Sequence, residues 1–159
     1  MLLSIEENIT CEVCIEQMLT PYILTCGHTF CQPCLMDWFS TLLATFLQSN
    51  PGYDPHPPSA RQYIQRARHP RVSAHQRQAL QRAIRTLYED NIKPTLTCPK
   101  CREALPSAPI ECYALKGIAQ SVAKASGKIR GDDAARRAAA TRRSEGIWDG
   151  FFPQPPKIP

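Results

Sequence analysis

Eight side chains with an affinity for soft metal ions fall into four short pairs along this chain: Cys11 and Cys14, Cys26 and His28, Cys31 and Cys34, Cys98 and Cys101. Three pairs are C-x-x-C and the fourth is C-x-H. A C-x-x-C turn places two thiolates on one side of a tight knuckle, within reach of a single tetrahedral ion. Structural Zn²⁺ takes four sulfur or imidazole ligands and keeps no open position. Four pairs therefore make two closed sites. Chance rarely assembles three C-x-x-C pairs and a C-x-H in one short chain.

The 159 residues suffice for one domain of ordinary size and a tail. The ligand-bearing regions are too short and too polar for a large apolar core, so metal must supply much of their folding free energy. Cysteines in such number also raise a disulfide framework. The N-terminal Met1-Leu2-Leu3-Ser4-Ile5 runs straight into Glu6-Glu7, with no basic region and no apolar run of signal-peptide length. The expectation is an intracellular, reducing setting, cytoplasmic or nuclear, in which these pairs hold metal. The longest apolar run, around Leu42 to Leu47, is far too short for a membrane span.

Charge is divided along the chain. The first sixty residues hold no Lys or Arg and six acids, whereas Arg61 to Arg85 holds seven arginines and no acid. The first half favours a basic partner surface and the arginine stretch an acidic one, against the plainer reading of a solvated helix face.

The pattern of apolar residues sets the expected elements. Leu2, Leu3 and Ile5 lead in towards the zinc core. Ile23-Leu24 and Thr29-Phe30 suit a small hairpin around the second ligand pair, with Phe30 as a core plug. From Leu35 the period turns helical through Phe39, Leu42, Leu43, Phe46 and Leu47, and Asn50-Pro51-Gly52 stops it near Ser49. Pro55, Pro57 and Pro58 read as an extended linker. Ser73 and Gln76 form a capping-box pair opening a helix to about Glu89, expected to fold back on the first helix as an antiparallel pair. A further helix is expected over about Glu111 to Ala125, with Leu115, Ile118, Ala119 and Val122 on one face and Gly127 as its stop. Beyond Lys128 the tail is rich in Ala, Arg and then Pro, with transient helix expected around Ala134 to Arg143. The aromatic island Ile147 to Pro153 either docks back on the domain or serves as a peptide for a partner. No internal repeat is read in the sequence.

The ligand order Cys, Cys, Cys, His, Cys, Cys, Cys, Cys resembles the RING finger family of ubiquitin ligases. The segment Leu24-Thr25-Cys26-Gly27-His28-Thr29-Phe30-Cys31-Gln32-Pro33-Cys34 is similar to that family, as is Cys98-Pro99-Lys100-Cys101. The resemblance implies a cross-brace: Cys11, Cys14, Cys31 and Cys34 on one Zn²⁺, and Cys26, His28, Cys98 and Cys101 on the other. The fold class it implies is small α+β, a zinc-stabilised cross-brace with a helical insert and a following helix. The zinc domain would span 1–34 and 94–127, a helical insert with its Pro-rich linker 35–93, and a basic, largely disordered tail 128–159.

The resemblance also implies partners: a ubiquitin-conjugating enzyme, ubiquitin and a protein substrate. Val13 matches the family's apolar contact in the first zinc loop, Trp38 the aromatic of the central groove, and Pro99 the contact in the second zinc loop. Arg102, directly after the last ligand, matches the linchpin that bonds both the conjugating enzyme and its ubiquitin. Each has a plainer reading: core for Val13 and Trp38, a turn former for Pro99, a surface charge for Arg102. The implied enzyme is a RING-type ubiquitin transferase that positions a thioester and forms no covalent intermediate.

Between Cys34 and Cys98 lie sixty-three residues, more than the family usually inserts. A loop about five times longer costs roughly 1.4 kcal/mol more to close, against about 10 kcal/mol from a structural zinc. Zinc wins. Cys112 lies outside the ligand set with no activating base beside it, and reads as a small apolar residue. His56, His69 and His75 read as surface imidazoles.

Two further readings stand beside the ligase. One is a non-enzymatic zinc scaffold, or a nucleic-acid-binding module using Arg77, Arg82 and Arg85. Stacking support for it is thin, with only Tyr63 and Tyr88 nearby, so nucleic acid is not the expected partner. The other is a RING that acts only by dimerising with an active one. The four matched surface positions argue against that, and dimerisation itself is compatible with the ligase reading.

Overall fold

The computed structural model describes residues 7–127 and 146–158. Leu2, Leu3 and Ile5, and the helix expected at 134–143, lie outside these residues. Three short strands form an antiparallel sheet: β1 (Pro21–Ile23), β2 (Thr29–Cys31) and β3 (Ile110–Glu111), in the order β2-β1-β3. Tyr22 faces Phe30 on one side and Glu111 on the other. The expected hairpin joins β1 to β2. Its turn is tightened by Leu24 N–H donating to His28 O (2.9 Å) and Gly27 N–H donating to Leu24 O (2.9 Å). Gly27 has φ +86°, which a side chain would strain. The turn thus delivers Cys26 and His28 together at its tip.

Helix α1 (Gln32–Ser49) begins directly after β2, three residues earlier than the apolar period suggests. Its first turn carries Pro33, whose missing N–H costs nothing there. Cys31 and Cys34 therefore sit on a helical first turn and not on a knuckle like the other C-x-x-C pairs. Leu35 and Phe39 are fully buried, and Asn50 ends the helix by donating from Nδ2 to Phe46 O (3.0 Å).

The proline-rich linker gives way at once to helix. Residues Pro58–Ala67 form α2, and Ala74–Glu89 form α3. Pro58 reads as a breaker in sequence, yet Pro at the first helical position is tolerated because its φ suits a helix and its N–H would be unpaired anyway. The capping box of α3 is present, with Gln76 N–H donating to Ser73 Oγ (3.3 Å) and Ser73 N–H to Gln76 Oε1 (3.1 Å).

The antiparallel partner of α3 is α2, not α1 as expected. Ala60, Ala67 and Ile64 recur at helical spacing and give α2 a narrow apolar face, which packs on Ile84, Tyr88, Leu80 and Leu87. The alanines let the backbones approach closely. Arg and Gln fill the rest of α2 and hide that face from a periodicity reading. At the open end of the hairpin, His56 Nδ1 meets Tyr88 Oη (3.0 Å) and Asn91 Nδ2 donates to Asp54 O (2.9 Å).

Helix α4 (Tyr113–Ala125) follows β3 and stops at Gly127 (φ +68°). Its buried residues are Ala119 and Ala123, while Ile118 is 48% exposed, so the buried face is rotated from the one expected. The helix is pinned where Gln17 Nε2 donates to Ala119 O (2.7 Å).

Of the two alternatives for the aromatic island, docking is the one seen. Trp148 packs edge-on against Tyr22 (centroids 5.2 Å apart) and Phe39 (5.7 Å), and Phe151 and Phe152 also lie 5.7 Å from Phe39. Further on, Ile158 joins the α2–α3 core, and its carbonyl accepts from Gln81 Nε2 (3.1 Å). The segment 146–158 thus straps the zinc-side core to the helical hairpin. Trp148→Ala is expected to destabilise the fold by about 3–5 kcal/mol, as removal of a buried Trp does. Trp148→Phe should cost far less, because the buried indole Nε1 has no hydrogen-bond partner among the described residues. Urea unfolding of the two variants checks this.

Candidate metal centre

The first and last ligand pairs stand on two copies of one backbone device. In the first, Cys11 N–H donates to Glu16 O (2.8 Å), Ile15 N–H to Cys11 O (2.8 Å) and Met18 N–H to Ile9 O (2.7 Å). In the second, Cys98 N–H donates to Glu103 O (2.9 Å), Arg102 N–H to Cys98 O (3.0 Å) and Leu105 N–H to Leu96 O (2.8 Å). The bridges Thr10↔Gln17 and Thr97↔Ala104 close both. The residue after the second cysteine is left-handed in each, Ile15 at φ 59° and Arg102 at φ 62°. A ten-residue repeat underlies this: Ile9-Thr10-Cys11-x-x-Cys14-x-Glu16-x-Met18 against Leu96-Thr97-Cys98-x-x-Cys101-x-Glu103-x-Leu105. The sequence reading missed it, although Thr before and Glu after each C-x-x-C were there as signals.

The four pairs come together in two tetrads, and they interleave. Cys11 and Cys14 meet Cys31 and Cys34, while Cys26 and His28 meet Cys98 and Cys101. Within each tetrad the donor atoms all lie within 4.8 Å of one another. Zn–S bonds of about 2.3 Å and Zn–N bonds of about 2.0–2.1 Å place tetrahedral S···S neighbours about 3.8 Å apart and S···N neighbours about 3.6 Å apart. Cys14 and Cys31 sulfurs are 3.6 Å apart, Cys26 Sγ is 3.4 Å from His28 Nδ1, and Cys98 Sγ is 3.7 Å from it. Cys31 and Cys34 are tighter, at 3.1 Å. All-sulfur and three-sulfur, one-imidazole donor sets suit zinc, so the two tetrads fit two Zn²⁺ ions. The second tetrad is closed across the whole insert.

As free thiols, three of these ligands resist ionisation and two ionise more readily. Burial pushes Cys26 and Cys31 up to about 11, and Cys34 is raised by burial and by the neighbouring thiols. For Cys11 burial also raises the thiol, but backbone hydrogen bonds from Cys31, Cys14 and Val13 outweigh it and bring it to about 7. The backbone hydrogen bond from Glu103 lowers Cys101. Cys112 stands apart from both tetrads, half-buried at the start of α4, where its N–H donates to Pro21 O (2.8 Å).

The remaining named residues lie on or beside the knuckles. Val13 is 50% exposed on the first, and Pro99 is half-buried on the second. Glu12 and Lys100, their neighbours inside the two C-x-x-C pairs, form an ion pair at 2.5 Å that ties the knuckle tips together. Trp38 reaches over from α1 and donates from Nε1 to Thr97 O (2.7 Å), just before the second knuckle. The Arg102 guanidinium carbon stands 4.4 Å from the centroid of the Trp38 ring, a cation–π distance. Ile15 was given no role from sequence, yet it is 79% exposed beside Val13's knuckle.

Two outcomes follow from this geometry. Zinc must displace protons from thiols raised as far as Cys26 and Cys31. Its affinity should therefore climb with pH through the neutral range, by roughly tenfold per pH unit for each proton displaced. Competition with a chromophoric chelator measures this, and a flat profile would contradict it. A β-branched residue in the left-handed region is strained by about 1–2 kcal/mol. Ile15→Gly should accordingly raise the urea midpoint of the zinc-loaded protein despite the loss of a side chain.

Comparison with known proteins covers six of the eight ligands. Residues 11–48 match the family model of the RING-type zinc-finger. Among curated proteins, Tripartite motif-containing protein 5 of Ateles geoffroyi is 50% identical over 34 residues, which is 21% of this chain and 6% of that protein. The proteins of the same description from Papio anubis and Gorilla gorilla gorilla are 47% identical over 34 residues, 21% of this chain and 7% of each. The chain thus matches only a small part of these relatives. No solved structure matches. The family match ends well before Cys98 and Cys101, and the fold itself supplies that pair. The chain carries a RING-type zinc finger, begun within residues 11–48 and completed by a ligand pair from beyond the insert.

Proposed function

We propose that this chain is a RING-type ubiquitin–protein ligase. The domain would hold a conjugating enzyme charged with ubiquitin and fix its flexible thioester in a reactive pose, so that a substrate lysine attacks. The single observation that carries this reading is the surface where the two knuckles meet. Exposed Val13, half-buried Pro99 and the Arg102 guanidinium stand on the knuckles bridged by Glu12 and Lys100, and the Trp38 ring reaches them from α1. An apolar rim with one planar cation at its edge suits a protein partner that presents both apolar and carbonyl groups.

Four-ligand zinc sites hold no vacant position for water, which argues against metal-assisted hydrolysis. The implied catalysis is positional. Restricting a tethered thioester to near-attack geometry lowers the barrier by removing conformational freedom before the reaction. Arg102 has the chemistry of the linchpin: a guanidinium carries five donors in a rigid fork and can bond two partners at once. Its left-handed backbone and its seat on Trp38 give the fork one preferred direction. Cys11, Cys14, Cys31 and Cys34 would hold the first ion and Cys26, His28, Cys98 and Cys101 the second. In this reading the zinc domain comprises 1–34 and 94–127, and the insert 35–93 contributes Trp38 to the transfer surface.

Discharge of ubiquitin from a panel of loaded conjugating enzymes onto free lysine tests the proposal. Acceleration by the zinc-loaded chain is expected. Arg102→Ala should keep the fold and the binding of the conjugating enzyme while losing tenfold or more of the discharge, about 1.4 kcal/mol or more in the barrier. Val13→Ala should weaken binding itself. Full discharge by the Arg102 variant would remove the linchpin role, and no acceleration with any conjugating enzyme would remove the ligase.

A further inference from the structure

The ligase reading makes no use of the helical hairpin, and the hairpin carries a long run of charge of one sign. From Pro55 to Tyr88 there are seven arginines, no lysine and no acid. Arg61 pairs with Asp54 at 3.1 Å, on the exposed side of the hairpin's open end. The apolar faces of α2 and α3 are used up in packing on each other and on Ile158. The arginines are left outside: Arg66, Arg68, Arg71, Arg82 and Arg85 are all exposed. Helical spacing puts Gln78, Arg82 and Arg85 on the solvent stripe of α3, and Gln65 on that of α2, with Arg68 at the cap that follows it.

A second feature sits on the same hairpin. Between α3 and the strap lies a cleft of about 410 Å³ with Gln81, Arg85 and Lys157 on its walls and Pro155 and Pro156 at its rim. Ile84 and Ile158 line it as well, and Arg85 and Lys157 are its two cations. The strap therefore adds a lysine to the arginine surface where it crosses α3. The acids nearest the arginines, Asp54, Glu89 and Asp90, stand at the open end of the hairpin, so a polyanion would be directed away from that end.

We infer that the α2–α3 hairpin, with the strap, binds the phosphate backbone of a nucleic-acid duplex. Arginine forks match phosphate oxygens two at a time, and the choice of arginine throughout the stretch fits that geometry better than lysine would. Glutamines on the same stripes donate to phosphate or sugar oxygens. Among Phe, Tyr and Trp, only Tyr63 is exposed on the hairpin, so base stacking has little purchase and a single strand gains little here. Binding through phosphates carries no strong sequence preference and is steeply salt-dependent. The affinity falls with a log–log slope of about −0.9 per phosphate contact. The inference does not rest on the ligase reading, since ubiquitin discharge uses neither helix.

The test uses the full zinc-loaded chain and a fluorescent 20-base-pair duplex, with a single strand of equal length and polyglutamate as competing probes. At 50 mM salt the duplex should bind, and more tightly than either competitor. Arg82→Gln with Arg85→Gln should weaken binding tenfold or more and make the salt slope shallower by about 1.8, the value of two phosphate contacts. Arg68→Gln with Arg71→Gln, at the turn of the hairpin, should act in the same direction. All four positions are exposed, so far-UV circular dichroism and ubiquitin discharge should remain at wild-type levels. No duplex binding at 50 mM salt would overturn the inference, as would wild-type affinity in both double variants. Tighter binding of polyglutamate would assign the surface to an acidic protein, and tighter binding of the single strand would exclude the duplex.

Discussion

Closure of the second tetrad is the constraint on which the rest of the molecule depends. Cys26 and His28 come from the β1–β2 turn and Cys98 and Cys101 from beyond the insert, and a shared ion would bond the two directly, beside the Trp38–Thr97 hydrogen bond and the packing of Leu96 and Leu105 in the same core. The chain between the tetrad halves is long, but loop-closure cost grows as the logarithm of length and a zinc–thiolate site outweighs it. The insert also shortens its own effective span. Its α2–α3 hairpin is fastened at the open end by Asp54, His56, Tyr88 and Asn91, so the chain leaves and returns close to the same place. A long insert is therefore compatible with a small metal fold when the insert folds on itself.

The two knuckles show how that core is built economically. One ten-residue device is used twice, with the same hydrogen bonds and the same left-handed residue after the second cysteine. At one copy that residue is Arg102 and at the other Ile15. Neither type is favoured in this backbone region, where Gly or Asn would be comfortable. Strain kept at an exposed position is more readily explained by what the side chain presents than by packing. The exposed Glu12–Lys100 pair spans the two tips, and the apolar and cationic groups on them form one surface.

Legibility of the fold in the sequence varied with how local its causes are. The eight ligands, the hairpin at Ile23 to Phe30, the capping box at Ser73 and Gln76 and the stop at Gly127 are all short-range chemistry, and each reads directly. Helix α2 was hidden because three small apolar residues, Ala60, Ile64 and Ala67, carry its buried face among arginines and glutamines, and because Pro58 reads as a breaker unless it is placed at a helix start. Without α2, the partner of α3 was misassigned to α1. The rotated face of α4 has a similar origin: its alanines are buried because Gln17 and β1 lie close, while Ile118 is left in solvent. Docking of Trp148 and Phe151 on Phe39 depends on contacts more than a hundred residues apart, which no local pattern encodes. Pairing of ligands into tetrads is likewise long-range; the family resemblance supplied it, and the geometry agrees.

The central claim is that two closed, interleaved zinc sites organise this chain, and zinc K-edge absorption on a sample of measured metal content tests it most directly. The account predicts two zinc ions per chain, with seven sulfurs near 2.3 Å and one nitrogen near 2.0–2.1 Å shared between them and no oxygen ligand. A single ion per chain, or a shell containing water or carboxylate oxygen, would contradict it.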